Sequence, residues 1–291
     1  MRGALKMLLG SVALALAAGQ PALAAGDAPR RIVSLNLCTD QLLVELVAPE
    51  RIAGVSLLGS DRSLSASAAA LAQFPKLSGS AEEVLALKPD LVIAGEFTTG
   101  ATVELLRRLG QKVLVVPLAT DLEGMRQTLR LIADAVGEQE RGEAIIAEFD
   151  ARLRSARSTV PSRPTAIAYQ VNSLVSGPQS LLDAALDAAG YRNLARDLKL
   201  GPGGRLPLEQ LVATPPDLVV LANAPSDFQT VLADNLRHPA LADLLRRRPN
   251  VHLPMPYWIC ATPKLADAVE ILASMKSTGF AEAAAQADRA P

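Results

Sequence analysis

"EEVLALKPDLVIAG", residues 82–95, and "EQLVATPPDLVVLAN", residues 209–223, share one frame. Glu82 aligns with Glu209, Pro89 with Pro216, Asp90 with Asp217 and Val92 with Val219, each pair 127 residues apart. Each copy reads as a short helix, a Pro-Asp break and a buried strand. Proline ends the helix, and the apolar run after it has room to extend. A Pro-Asp-Leu-Val match alone is within reach of chance. The shared glutamate seven residues before the proline makes chance a poorer account. The repeat implies two related lobes.

The same alternation extends to both sides of these stretches. Nearly continuous apolar runs at 31–36, 51–56, 91–95 and 113–117 read as one set of strands, and those at 165–171, 218–223 and 250–254 as a second. Such runs fit strands covered on both faces. Helical patterns, such as 101–109 and 179–189, separate them. The fold class is therefore α/β: two Rossmann-like lobes with mostly parallel sheets. Between the lobes, Leu129, Ile132, Ala133 and Val136 recur at helical spacing, as do Ile145, Ile146, Phe149 and Leu153. Gly137 separates two helices in this reading, and the second, about 138–157, would be roughly 30 Å long. "STVPSRPT" then breaks it with two prolines. The expected organisation is a leader at 1–24, an N-terminal lobe at 25–137, a linking helix at 138–158 and a C-terminal lobe at 159–291.

The leader is "MRGALKMLLGSVALALAAGQPALA". Arg2 and Lys6 precede an apolar run that ends in the small-x-small site Ala22-Leu23-Ala24, the pattern of a cleavable secretory signal. The run is short for a membrane span and is broken by Gly19, Gln20 and Pro21. No cysteine lies near the cleavage site, which argues against a lipid anchor. The expected product is a soluble exported protein of the bacterial periplasm. A formal net charge of −1 offers no footprint for nucleic acid. With 49% hydrophobic but only 3% aromatic residues, the core is built from Ala, Leu and Val.

Four blocks in order, "RIVSLNLCTDQLLVEL…ERIAGVS", "SAEEVLALKPDLVIAG", "LPLEQLVATPPDLVVLA" and "HPALADLLRRRPNVHLPMPYW", resemble the helix-linked periplasmic substrate-binding proteins of ABC importers. Members of that class carry iron–siderophore complexes, cobalamin or haem. The resemblance implies one long helix joining the lobes, a ligand cleft between them and no catalysis. It also implies an ABC permease dimer as partner, an organic metal chelate as cargo, no resident cofactor or metal, no nucleic acid, and a monomer. Loops at the carboxyl ends of strands are where open α/β sheets bind ligands. The loops implied here are Asn36–Asp40, Glu96–Thr99, Asn172–Gly177 and Tyr257–Pro263. They give Asn36, Cys38, Thr39, Asp40, Glu96, Phe97, Asn172, Tyr257, Trp258 and Cys260 as candidate ligand-binding residues. Trp258, the only tryptophan, and Tyr257 would suit an apolar or flat chelate; the competing account is that Trp258 caps a core edge. Tyr169 or Tyr257 could ligate haem iron.

In the resembling class, one exposed glutamate per lobe pairs with permease arginines, and Glu82 and Glu209 match those positions. The competing account is helix capping: "SAEE" is a capping box with Ser80 at the N-cap and Glu83 at N3. Because Glu83 fills the cap, Glu82 is left to point outward, and docking is the favoured reading. The two cysteines, Cys38 and Cys260, fall in cleft loops of opposite lobes if the resemblance holds. Three readings stand. They form a disulfide across the cleft, they are free thiols facing a soft metal, or each is a small buried residue.

Two other functions compete. A bare metal-ion carrier would need several histidines and carboxylates, and the chain has only His238 and His252. A secreted enzyme would need a motif, and none of G-x-S-x-G, H-E-x-x-H, G-x-x-x-x-G-K-[ST] or G-x-G-x-x-G is present. "GPGGR" at 201–205 lacks the phosphate-loop pattern and reads as a surface turn.

Overall fold

The computed structural model describes residues 28–157, 162–223 and 231–287. The leader at 1–24 lies outside the described residues, as does the first half of the "STVPSRPT" break, residues 158–161. Strands β1 (Ile32–Ser34), β2 (Ile52–Ser56), β3 (Lys76–Leu77), β4 (Leu91–Gly95) and β5 (Val113–Val116) form one sheet in the order β3-β2-β1-β4-β5. Strands β6 (Thr165–Tyr169), β7 (Arg192–Asn193), β8 (Leu218–Leu221) and β9 (Asn250–His252) form a second in the order β7-β6-β8-β9. Every strand pairing within these sheets is parallel. In both sheets the chain winds outward in opposite directions from a central pair, β1–β4 and β6–β8. A crevice for ligands opens at the carboxyl ends of strands at such a switch point.

The helices that cover the sheets are, in chain order, α1 (Leu37–Leu46), α2 (Ala81–Ala86), α3 (Gly100–Arg108), α4 (Leu122–Val136), α5 (Gln139–Ala156), α6 (Leu181–Ala188), α7 (Leu208–Ala213), α8 (Pro239–Arg247) and α9 (Leu265–Ala287). Side chains alternate across each strand, so an apolar run serves two cores. Ile32, Leu91 and Ile93 pack on Leu42 and Leu46 of α1 and Leu129 and Ile132 of α4. Val33 and Val92 face the other way, onto Val84 of α2 and Leu106 of α3. The second sheet repeats this arrangement. Ala166, Ala168, Leu218 and Val220 meet α6 and α9, while Ile167, Tyr169 and Val219 meet α7 and α8. Burying each large side chain of this kind stabilises the fold by about 1.5–3 kcal/mol.

The sequence repeat is also a structural repeat. Helices α2 and α7 begin and end 127 residues apart, and β4 and β8 begin at the same offset. The shared aspartate has one task in both copies. Asp90 accepts hydrogen bonds from the backbone N–H groups of Arg30 (2.7 Å) and Arg31 (3.1 Å), just before β1. Asp217 accepts from the N–H (2.7 Å) and hydroxyl (2.8 Å) of Thr165, which begins β6. Each carboxylate thus pins the start of the neighbouring central strand and fixes its register. Asp217→Ala is expected to lower the unfolding free energy by about 1–3 kcal/mol, because it strands these donors. A denaturant midpoint equal to that of the parent protein would show that the staple contributes nothing.

Helix α4 ends at Gly137, whose φ of 75° is left-handed and suits glycine. The 18 residues of α5 then run about 27 Å. Helix α5 is fastened towards the first sheet through Asp150, which accepts from Arg126 of α4 at 2.6 Å. It is fastened towards the second through Arg152, which donates to Glu270 of α9 at 2.7 Å. Met125, Phe149, Leu265 and Ala266 form an apolar cluster to which both halves contribute. No described helix is long and apolar enough to cross a membrane. Among the described residues, no group of three or more His, Cys, Asp or Glu side chains is placed to hold a metal ion. His238 instead caps α8, its Nδ1 accepting from the N–H of Ala240 at 3.1 Å, and His252 lies exposed on β9, beside β8.

Candidate functional site

A cavity of about 340 Å³ opens at the carboxyl ends of β1, β4 and β5. Its size is near the lower end of ligand pockets, roughly 300–1,000 Å³. The first lobe supplies most of the wall, including Asn36, Cys38, Thr39, Glu96, Phe97 and Leu118, and the second adds Leu181, Ile259 and Ala261. A larger open hollow of about 620 Å³ lies among α4, α5 and α6 and is walled by Arg126, Asp150, Arg154, Arg157 and Asp187. It is away from the strand ends; within it Arg126 pairs with Asp150 and Glu123, and Asp187 pairs with Arg163 outside it.

Asn36 leaves β1 in an extended conformation and caps α1, its Oδ1 accepting from the N–H of Cys38 at 2.9 Å and of Thr39 at 3.4 Å. Gly95 at the end of β4 permits this, because a Cβ there would meet Asn36 Nδ2 at 2.7 Å. Thr39 Oγ1 donates to the Asn36 carbonyl at 3.0 Å and lies 2.7 Å from Ser34 Oγ. Glu96 Oε2 accepts from the N–H of Leu118 at 2.8 Å and ties the β4 loop to the β5 loop. These polar groups are therefore used to shape the wall. The surface left at the mouth is apolar: Leu58, Phe97 and Leu118 are 50%, 78% and 58% exposed. Among the described residues, the lining contains no histidine, tyrosine or methionine, and Glu96 is its one ionisable side chain.

Cys38 and Cys260 are joined by a disulfide, with their Cα atoms 5.2 Å apart. The bond links α1 of the first lobe to the loop after β9 of the second, which rules out the free-thiol and isolated-residue readings. Cys38 is half-buried and faces the cavity, while Cys260 is 1% exposed and lies behind it.

Four other expected contact residues are placed elsewhere. Asp40 is fully buried and accepts from the Ser56 hydroxyl at 2.5 Å and the Ser56 N–H at 3.2 Å. At 3.6 residues per turn, two positions beyond Cys38 is about 200° around α1, so Asp40 faces the core when Cys38 faces the cavity. Asn172 is outside the lining; its N–H donates to Asn235 at 3.1 Å and its carbonyl accepts from Arg205 at 3.0 Å. Tyr257 and Trp258 pack on the core of the second lobe, and Trp258 Nε1 donates to the Leu253 carbonyl at 3.2 Å. Trp258 thus caps a core edge, one residue from Ile259 on the cavity wall. Tyr169 is fully buried, its hydroxyl 3.0 Å from Ser173 Oγ, and does not reach the cavity.

Burial pushes the Asp40 carboxyl up from 3.8 to about 6, against the pull of its bonds to Ser34 and Ser56 and the charge of Lys76. The folded protein then holds this proton more tightly than the unfolded chain. Asp40's contribution to stability is fully present below about pH 4 and is lost as pH rises through 6. Relative to Asp40→Asn, the parent protein should lose up to about 3 kcal/mol between pH 4 and 7.5. Thermal unfolding of both proteins across that range checks this, and a parent protein that gained stability over the variant as pH rose would contradict it.

Glu82 and Glu209 are both exposed and occupy the same position in the repeated helix. The capping box on α2 is formed by Ser80 and Glu83 without Glu82. The N-cap of α7 is Pro207, which makes no side-chain cap. Neither glutamate forms an ion pair among the described residues.

The profile of the periplasmic binding protein family matches residues 32–244. A cobalamin-binding protein of Halobacterium salinarum is 28% identical over 208 residues, which cover 70% of this chain but 56% of the relative. The chain therefore spans little more than half of that relative's length. Among solved structures, the periplasmic heme-binding protein RhuT from Roseiflexus sp. RS-1, in apo form, has a TM-score of 0.68 and 26% identity, covering 84% of this chain and 96% of that one. The periplasmic vitamin B12 binding protein BtuF of Vibrio cholerae has a TM-score of 0.63 and 18% identity over 85% of this chain and 96% of that one, a likeness of fold.

Proposed function

Because the chain belongs to the periplasmic binding protein family, a family of transport components rather than enzymes, we propose that it captures an organic metal chelate between its lobes and hands it to an ABC importer. The observation that carries this reading is the apolar cavity at the strand ends, walled by both halves of the repeat. The cargo is one whose metal is already fully coordinated by its own organic ligand, such as a corrinoid or a ferric siderophore. Leu58, Phe97, Leu118 and Ile259 would then hold it by apolar contact, with no protein atom on the metal. A cargo larger than the cavity would extend over the exposed rim and bury Phe97.

The haem reading has in its favour the 26% identity to periplasmic heme-binding proteins. Against it, the described residues of the cavity wall offer no imidazole, phenol or thioether to an open iron site. Lobe closure is small in this account, because the disulfide, α5 and the shared cluster around Phe149 resist rotation. Delivery uses Glu82 and Glu209 as paired acidic contacts for the permease. The protein acts as a periplasmic monomer after loss of residues 1–24, with lobes at 25–137 and 159–291 and a linking helix at 138–158.

Binding is tested with the purified protein against cyanocobalamin, a ferric hydroxamate and haemin, by native mass spectrometry and Trp258 quenching. The expected result is a one-to-one complex with one of the first two. Tight binding of haemin alone would overturn the filled-coordination reading, and binding of none would overturn the cargo reading as a whole.

A further inference from the structure

The Cys38–Cys260 bond has a feature that a purely structural cross-link does not require. One of its two residues borders the ligand cavity and the other is buried. Cys38 is half-buried on the wall, and Cys260 is 1% exposed. Thiol–disulfide exchange depends on which sulfur an incoming thiolate can reach, and a residue on the cavity wall is the more accessible of the two. Of the two cysteines only Cys38 lines the cavity, whose wall also carries the exposed Leu58, Phe97 and Leu118. We propose that this bond is a thiol–disulfide exchange site for a small dithiol, which enters through the cavity and attacks Cys38.

The step is balanced. One thiolate of the dithiol forms a bond to Cys38 Sγ as the Cys38–Cys260 bond breaks, and Cys260 leaves as a thiolate and takes up a proton. The second thiol of the dithiol, on losing its proton, displaces Cys38, which is protonated in turn. The dithiol is oxidised to its disulfide by two electrons, and the protein gains two thiols.

The position of the bond gives the reaction a consequence. It staples α1 to the loop that carries Ile259 and Ala261, so it fixes the gap between the two sides of the cavity. Reduction frees that gap while the Phe149 cluster and the Arg152–Glu270 pair still hold the lobes together at their base. A cargo lying on the wall covers Cys38 and blocks the attack. The exchange site itself needs no cargo, so it stands or falls separately from the transport reading.

The test uses the oxidised, folded protein with excess glutathione in native buffer, a rapid maleimide quench and peptide mapping. The expected first product carries glutathione on Cys38 and maleimide on Cys260. Narrowing the mouth with Leu58→Trp and Leu118→Trp should slow native-state reduction by about tenfold by restricting access. The rate in denaturant should be unchanged. Glutathione on Cys260, or equally on both cysteines, would overturn the proposal. So would equal native-state rates in parent and variant, or reduction only once the chain has unfolded.

Discussion

Replacing both cysteines, Cys38→Ala with Cys260→Ala, is expected to lower the unfolding free energy by about 2–5 kcal/mol. The cysteines are 222 residues apart in sequence, so the bond closes most of the chain into one ring. Loop-closure entropy grows with ring length, and a ring of this size lies towards the upper end of that range. Alanine is the suitable replacement, because Cys260 is buried and a serine there would need a hydrogen-bond partner. The unfolding midpoint should fall on the order of 5–15 °C for a protein of this size. Scanning calorimetry of the parent and the double variant measures it. A change within about 2 °C would mean that the lobes are held together by the Phe149 cluster and α5, with the covalent link adding little.

The second large effect concerns delivery. Glu82→Arg or Glu209→Arg should abolish uptake in cells while the purified protein binds its cargo as before. The loss in stability should be small. An exposed carboxylate in the first turn of a helix is favoured by about 0.3–1 kcal/mol, and reversal costs an amount of that order. The α2 capping box survives the change, because it uses Ser80 and Glu83. A paired acidic contact, one per lobe, would fix the orientation of docking and speed encounter. Uptake at the parental rate in both variants would remove these glutamates from the docking surface. A fall in cargo affinity would move them into the binding site.

Much of this architecture is legible in the sequence because it was written twice. The Glu–Pro–Asp spacing placed α2, β4, α7 and β8, and all seven apolar runs became strands. Strands β3 and β7 escaped notice because two residues each are too few to show alternation. Asp90 and Asp217 were visible as a repeated pair, but their task depends on where Arg31 and Thr165 fall in space. The cavity is less legible. Its lips are legible as strand ends, yet Leu58, Leu118 and Ile259 are single aliphatic residues in turns and loops and Leu181 opens α6, with no pattern to mark them. The burial of Asp40 is hidden from a loop reading, which ignores helix phase, because Asn36 already begins α1. Trp258 stands out in the sequence by its rarity alone, which does not tell a ligand contact from a core-edge cap; its indole N–H is held by Leu253. The pairing of Cys38 with Cys260 was one of three readings because bonding depends on a Cα separation that no sequence contains.

The most direct test of the transport account is a crystal structure of the protein soaked or grown with the chelate that binds it. The account predicts the chelate at the carboxyl ends of β1 and β4, against Leu58, Phe97 and Leu118 on one side and Ile259 on the other. It also predicts no side chain on the metal and little change in the angle between the sheets. A chelate seated in the charged hollow beside Arg126 and Asp187, or lobes swung widely apart around an empty cavity, would contradict it.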